Sequence, residues 1–289
     1  MNRRDFLIGS LALSLGCTRR RRVVTVGSKN FTEQLALGEL LAQRFEARSI
    51  PVERRFYLAG TYICHQAMLA GRIDGYVEYT GTALSAILKQ PPMHDHDRVY
   101  RVVREEYARR FGLEVFPSLG FDNSFAMVIR GDDAQRLRVK TISDVAKYAP
   151  QWRIGVGYEF LEREDGFKGL VETYGLHFAE MPRVMDLGLL YRSLQSRQVD
   201  IVAGSNTDGL IAALGFVALE DDRQYFPPYD AVPIVRREAV EQFPHIADEL
   251  RHLAGRITAE QMRRLNYAID GEHKDAREAV RSFLAAQRL

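Results

Sequence analysis

The sequence predicts an α/β fold built as two lobes, and three observations carry that expectation. The chain has 289 residues, 46% of them hydrophobic and 27% charged, enough for two separate cores. Past residue 22, short β-branched runs alternate with amphipathic stretches, the pattern of βαβ units on largely parallel sheets. One passage also occurs twice: Met68 to Thr80-Gly81 recurs loosely as Leu194 to Asn206-Thr207. Aligned on Asp74 and Asp200, Tyr79 matches Ser205 and Thr82 matches Asp208. Both passages would set a polar loop just past the carboxyl end of a strand, where open α/β sheets bind ligands. Read more plainly, both are ordinary helix-turn-strand joins.

In order, Val23 to Val26 reads as a strand, and Thr32 to Ala47 as a helix capped by Thr32 with Leu37, Leu40, Leu41 and Phe45 on one face. Val52 to Phe56 (strand), Thr61 to Ala70 (helix), Tyr76 to Glu78 (strand) and Val99 to Phe111 (helix) complete one set. A second set follows, with strands at Phe125 to Ile129, Arg153 to Gly157 and Asp200 to Ala203. Its helices are expected at Ile142 to Tyr148, Gly166 to Tyr174 and Leu187 to Ser196. A strand at Ala231 to Val235 and three helices, around Pro244 to Leu253, Thr258 to Asn266 and Lys274 to Ala285, close the chain. No Gly/Ser linker divides the sets, so the crossings between lobes are expected to be short and ordered.

Residues 1–22 read as an address. Arg3-Arg4-Asp5 precedes an apolar run from Phe6 to Gly16, far short of the roughly 20 residues needed to span a bilayer. Leu13 to Cys17 resembles a bacterial lipobox, making Cys17 the expected lipid anchor, with ordinary secretion as the alternative. Setting aside Arg3, Arg4, Asp5 and the Arg19 to Arg22 run reduces 40 basic and 38 acidic residues to 34 and 37. That body carries no basic stripe, which argues against a nucleic-acid partner. Cys64 then remains without a disulfide partner and reads as a packed core thiol. His94-Asp95-His96-Asp97 has no Cys/His set at ligand spacing, so neither a metal nor another cofactor is expected.

Several short motifs carry chemistry. Gly27 to Gln34 joins a strand to a helix start, where free N–H groups favour an anion, and Lys29 adds a charge, although alone it reads equally well as a surface lysine. Glu78-Tyr79-Thr80-Gly81-Thr82 places a ring and two hydroxyls in a tight turn, and Phe226-Pro227-Pro228-Tyr229 stiffens another ring. Tyrosine faces attract a desolvated cation by about 0.5 to 2 kcal/mol each. Arg163, after Tyr158-Glu159-Phe160, can fork onto a carboxylate or serve as a structural ion-pair partner. Anion donors with aromatic rings would suit a betaine-like zwitterion.

Those motifs, with Gly120 to Asn123, Asp165-Gly166-Phe167 and Thr207-Asp208-Gly209, resemble the substrate-binding proteins of osmoprotectant ABC importers, the glycine betaine/carnitine/choline-binding family, from about Val24 to Phe283. The resemblance implies a type II periplasmic-binding fold, two α/β lobes joined by a two-segment hinge. On it, lobe 1 comprises residues 23–121 and 226–289, and lobe 2 residues 122–225. It implies that Lys29, Arg163 and Thr82 hold a carboxylate, that Tyr79 and Tyr229 belong to an ammonium cage, and that Glu159 serves lobe closure. Phe125 and Ser205 stand where the family commonly has tyrosine, so the Ser205 wall is expected to be open unless Tyr62 or Tyr158 turns in. Asn30 and Asn206 complete the expected ligand set. The implied partners are a small quaternary-ammonium or betaine-like solute, an ABC permease and its ATPase, with the receptor monomeric and exported. An enzyme on the same fold would need an acid or base in the cleft; Glu78, Glu159 and Asp208 are candidates, without a nucleophile-base pair. A sensory receptor reporting to a separate signalling protein is a third reading.

Overall fold

The computed structural model describes residues 23–289, so the expected anchor Cys17 lies outside the described residues. Ten strands run in chain order as β1 Val24–Gly27, β2 Val52–Arg55, β3 Gly75–Tyr79, β4 Leu113–Val115, β5 Phe125–Arg130, β6 Ile154–Val156, β7 Arg183–Val184, β8 Ile201–Ser205, β9 Phe216–Ala218 and β10 Ala231–Arg236. They form two five-stranded sheets, ordered β2-β1-β3-β10-β4 and β7-β6-β8-β5-β9. In each sheet a single strand, β10 or β5, runs antiparallel to both its neighbours, so the sheets are mixed. The reversal follows from the connectivity. The chain leaves the first sheet at β4 and returns at β10, and residues between β4 and β5 and between β9 and β10 form the two crossings. These crossings lie against each other: Asp122 bridges Asp230, and Asn123 N–H donates to Tyr229 O at 3.0 Å.

Parallel strands covered by helices on both faces read as continuous apolar runs, and β1 is buried along its whole length. The helix Thr32–Ala47 packs Leu37, Leu40, Leu41 and Phe45 into the core, each contributing about 1.5 to 3 kcal/mol of burial. Its start departs from expectation. Phe31 holds the extended cap conformation, and the Thr32 hydroxyl instead donates to Asp270 Oδ1, 2.6 Å away. The edge strand β2 is charged, and Arg54 pairs with Glu39 and Glu46 of that helix, protecting the edge from another chain. Cys64 is a buried thiol, pushed up to about 12 chiefly by burial.

The repeated passage has a structural cause. β3 and β8 hold the same central place in their sheets. Asp74 accepts from Thr25 N and ion-pairs with Arg236 at the end of β10. Asp200 accepts from Arg153 N and ion-pairs with Arg130 at the end of β5. Each aspartate therefore ties the parallel neighbour of the strand that follows it, β1 or the start of β6, to the antiparallel strand on the other side.

Candidate ligand-binding site

The carboxyl ends of β3 and β8 face one another across the lobes. β3 runs directly into a helical turn, Thr80–Thr82, and then a π-helical turn, Ala83–Ile87, so the expected tight turn is helical. Gly81 is required there: a Cβ would meet Pro228 O at 2.6 Å and the Tyr229 ring at 2.9 Å. This close approach lays Thr82 and Ser85 opposite Arg163. Arg163 Nη1 donates to Thr82 Oγ1 at 2.9 Å, while Nε and Nη2 fork onto Asp165 at 2.8 and 2.5 Å. The Thr82 proton has no acceptor among the described residues, leaving a hydroxyl donor beside a guanidinium.

Arg163 and Asp165 form a buried pair, with side chains 8% and 0% exposed. Burial pushes the Asp165 carboxyl up, but the Arg163 charge and hydrogen bonds overcome it and hold the group below its ordinary value. Tyr229 O–H also donates to Asp165, at 2.7 Å. The guanidinium stands 5.2 Å from the Phe125 ring centre and 5.5 Å from that of Tyr229. Phe160, 4.8 Å from Phe125, and Phe226, 5.7 Å away, complete an aromatic box.

Lys29 is buried, not a surface lysine, and its ammonium pairs with Glu78, which also accepts from Tyr76 O–H and Tyr79 N–H. It stands 4.9 Å from the Tyr79 ring centre. The resemblance set rings and cations at opposite poles of a ligand. In the structure a protein cation stands over these rings: Lys29 over Tyr79, and Arg163 over Phe125 and Tyr229.

The Ser205 wall carries polar groups in place of a ring. Ser205 lies directly opposite Phe125 in register, and its hydroxyl joins Asn123 and, at 2.9 Å, Thr207. Asn123 donates onward to Glu33, which also accepts from Tyr79 O–H at 2.7 Å and Asn266 Nδ2 at 3.0 Å. Burial raises the Glu33 carboxyl above its ordinary value, against those hydrogen bonds. Tyr62 and Tyr158 do not turn in to close the wall; they are 57% and 70% exposed.

Two further contacts join the lobes. Glu159 accepts from Thr61 N–H at 2.6 Å, and Arg263 donates to Asn206 O at 3.2 Å. Asn206 Oδ1 is buried without a partner among the described residues, and Asn30 is exposed. Lys29, Tyr79, Thr82, Phe125, Arg163, Ser205 and Tyr229 are thus brought together, Glu159 and Asn206 lie at the lobe contacts, and Asn30 stays outside. Sequence reasoning missed Glu33, Asp165, Ser85, Asn123 and Phe160. All but Ser85 lay inside quoted motifs, but nothing marked Asp165 as the buried counter-charge of Arg163 or Glu33 as a buried carboxyl.

Two mixed α/β sheets, linked by two paired crossings with polar and aromatic groups converging between them, define a type II periplasmic binding protein. The chain belongs to the family described as the substrate binding domain of ABC-type glycine betaine transport systems, which matches residues 22–286. It is 34% identical over 284 residues to the ergothioneine transport permease/ergothioneine binding protein EgtU of Helicobacter pylori, covering 96% of this chain and 51% of that one, so it spans about half of that relative. It is 32% identical over 264 residues to the carnitine transport binding protein OpuCC of Listeria monocytogenes, covering 90% and 85% of the two chains. A crystal structure of a glycine betaine/carnitine/choline ABC transporter protein superposes with a TM-score of 0.77 at 30% identity, covering 92% of this chain and 98% of that one. The family is one of transport substrate-binding proteins.

Proposed function

We propose that this chain is the extracytoplasmic receptor for a betaine larger than glycine betaine, with ergothioneine, the trimethylated betaine of a thio-substituted histidine, as the leading cargo. The polar wall around Ser205 carries this reading. A trimethylammonium needs only ring faces, whereas Ser205, Asn123, Thr207 and Glu33 offer hydrogen bonds to a second polar group on the solute. The ergothioneine binding for which the Helicobacter relative is named supports it, since ergothioneine adds a ring with an N–H donor to the betaine unit. Arg163 and the Thr82 hydroxyl would take the carboxylate, with Lys29 adding positive potential. The ammonium would take the ring faces now covered by Lys29 and Arg163, which requires those side chains to swing toward the carboxylate.

On this reading the lobes, residues 23–121 with 226–289 and residues 122–225, close on the solute through Glu159. The receptor hands it unaltered to an ABC permease driven by its ATPase, acts as a monomer, and is exported and tethered through Cys17. Calorimetry with ergothioneine, carnitine, choline and glycine betaine tests the cargo. Ergothioneine should bind at least about tenfold, or 1.4 kcal/mol, more tightly than glycine betaine. Tightest binding of glycine betaine would overturn the assignment, and recovery of a chemically altered solute would overturn the receptor reading.

A further inference from the structure

The hinge brings together three metal-ligating side chains from distant parts of the chain. His96 opens the helix His96–Phe111, while Asp122 and Asp230 lie on the two crossings, opposite one another in their bridge. One donor atom from each falls within 4.8 Å of the others, and His96 Nδ1 is 2.8 Å from Asp230 Oδ2. Like charges directly opposite on paired strands are destabilising. Among the described residues neither carboxylate has a lysine or arginine partner, and His96 is the one ion-pairing contact between them and a basic side chain. Asp122 is fixed by Tyr229 N–H, which donates to its Oδ2 at 2.5 Å and leaves Oδ1 unused by that bond.

We propose that His96, Asp122 and Asp230 form a divalent-cation site spanning the two crossings. Metal–ligand distances of about 2.0 to 2.2 Å require donors roughly 3 to 4 Å apart, which rotation of the exposed His96 and the carboxylates supplies. One imidazole nitrogen with two carboxylate oxygens suits zinc, cobalt or manganese better than magnesium or calcium. The spacing of His96 from its partners in sequence hides the set, because Asp230 is 134 residues away. An ion here would tie both crossings to a lobe 1 helix one residue from Tyr229.

The test is calorimetry with zinc chloride alone on tag-free, chelator-stripped protein, with no solute present, so it is independent of the cargo assignment. The expected result is one equivalent bound with micromolar Kd. His96→Ala and Asp122→Asn should each weaken it by about tenfold or more, and His94→Ala, on the adjoining exposed loop, by less than about twofold. Circular dichroism confirms that each variant is folded. Absence of binding below about 1 mM, unchanged binding by folded His96→Ala, or an equal loss in His94→Ala would overturn the site.

Discussion

Arg163→Ala should cost substantial stability, because it strands the wholly buried Asp165. The substitution removes a two-pronged charge-assisted pair, the bond to Thr82 and the contacts with the Phe125 and Tyr229 rings. Asp165 would keep Tyr229 O–H as a donor but lose its counter-charge. Breaking a buried pair from one side costs about 3 to 5 kcal/mol. For a chain of this size that lowers Tm by roughly 6 to 20 °C, at about 2 to 4 °C per kcal/mol. Arg163→Ala/Asp165→Asn removes the stranded charge while keeping an acceptor for Tyr229, and should recover half or more of the loss. Scanning calorimetry measures both. Carboxylate-bearing solutes should bind about tenfold or more weakly to both variants, and choline should lose less. The double variant thus separates folding from recognition. A single-variant loss below about 1 kcal/mol, or a double variant no more stable than the single, would refute the reasoning.

Burial pushes the Asp208 carboxyl up to about 6, against hydrogen bonds from Tyr191 and Ser205 N–H and with Glu33 and Asp270 adding to the rise. Unfolded aspartate titrates near about 3.9, so between about pH 4 and 6 the folded state holds a proton that the unfolded state lacks, and this group's contribution to stability falls as pH rises. Asp208→Asn should flatten that part of the profile and stabilise the protein at pH 7 in urea unfolding; an unchanged slope counts against it. Glu159→Ala removes the bond to Thr61 N–H, and Gly60→Ala would set a Cβ 2.0 Å from Glu159 Oε1. Each should weaken solute binding by about tenfold, read as a faster off-rate in stopped flow; equal off-rates would show that this contact does not hold the lobes. Ser205→Tyr should raise affinity for glycine betaine by roughly twofold to thirtyfold, the worth of one ring face, while lowering it for the larger cargo. Calorimetry on both solutes decides, and a rise for both would contradict a polar subsite.

What the sequence discloses depends on how local its cause is. The helix Thr32–Ala47 was legible because Leu37, Leu40, Leu41 and Phe45 repeat on one face, and β3 and β8 because the passage leading into each recurs. The strands Leu113–Val115 and Phe216–Ala218 were not, since three residues carry no period and each is fixed only by pairing with the antiparallel strand of its sheet. The Thr32 cap failed because Asp270, 238 residues away, claims the hydroxyl. Motif positions pointed to Lys29, Arg163 and the rings as candidates, but not to the burial and internal pairing of the charges around them. Glu33 is buried by partners 46, 90 and 233 residues distant, and Lys29 meets Glu78 across 49. A carboxylate in such a sequence looks like any solvated acid, and only the fold reveals that it has left water. The consequence reaches the ligand. With Lys29 and Arg163 each paired and resting on a ring, a zwitterion bound in the proposed way would compete with Glu78 and Asp165 for those cations and with the cations themselves for the ring faces. On the proposed binding mode, selectivity would follow how fully a solute replaces those internal pairs, and a solute that also reaches Ser205 and Glu33 would gain hydrogen bonds that glycine betaine has no group to make.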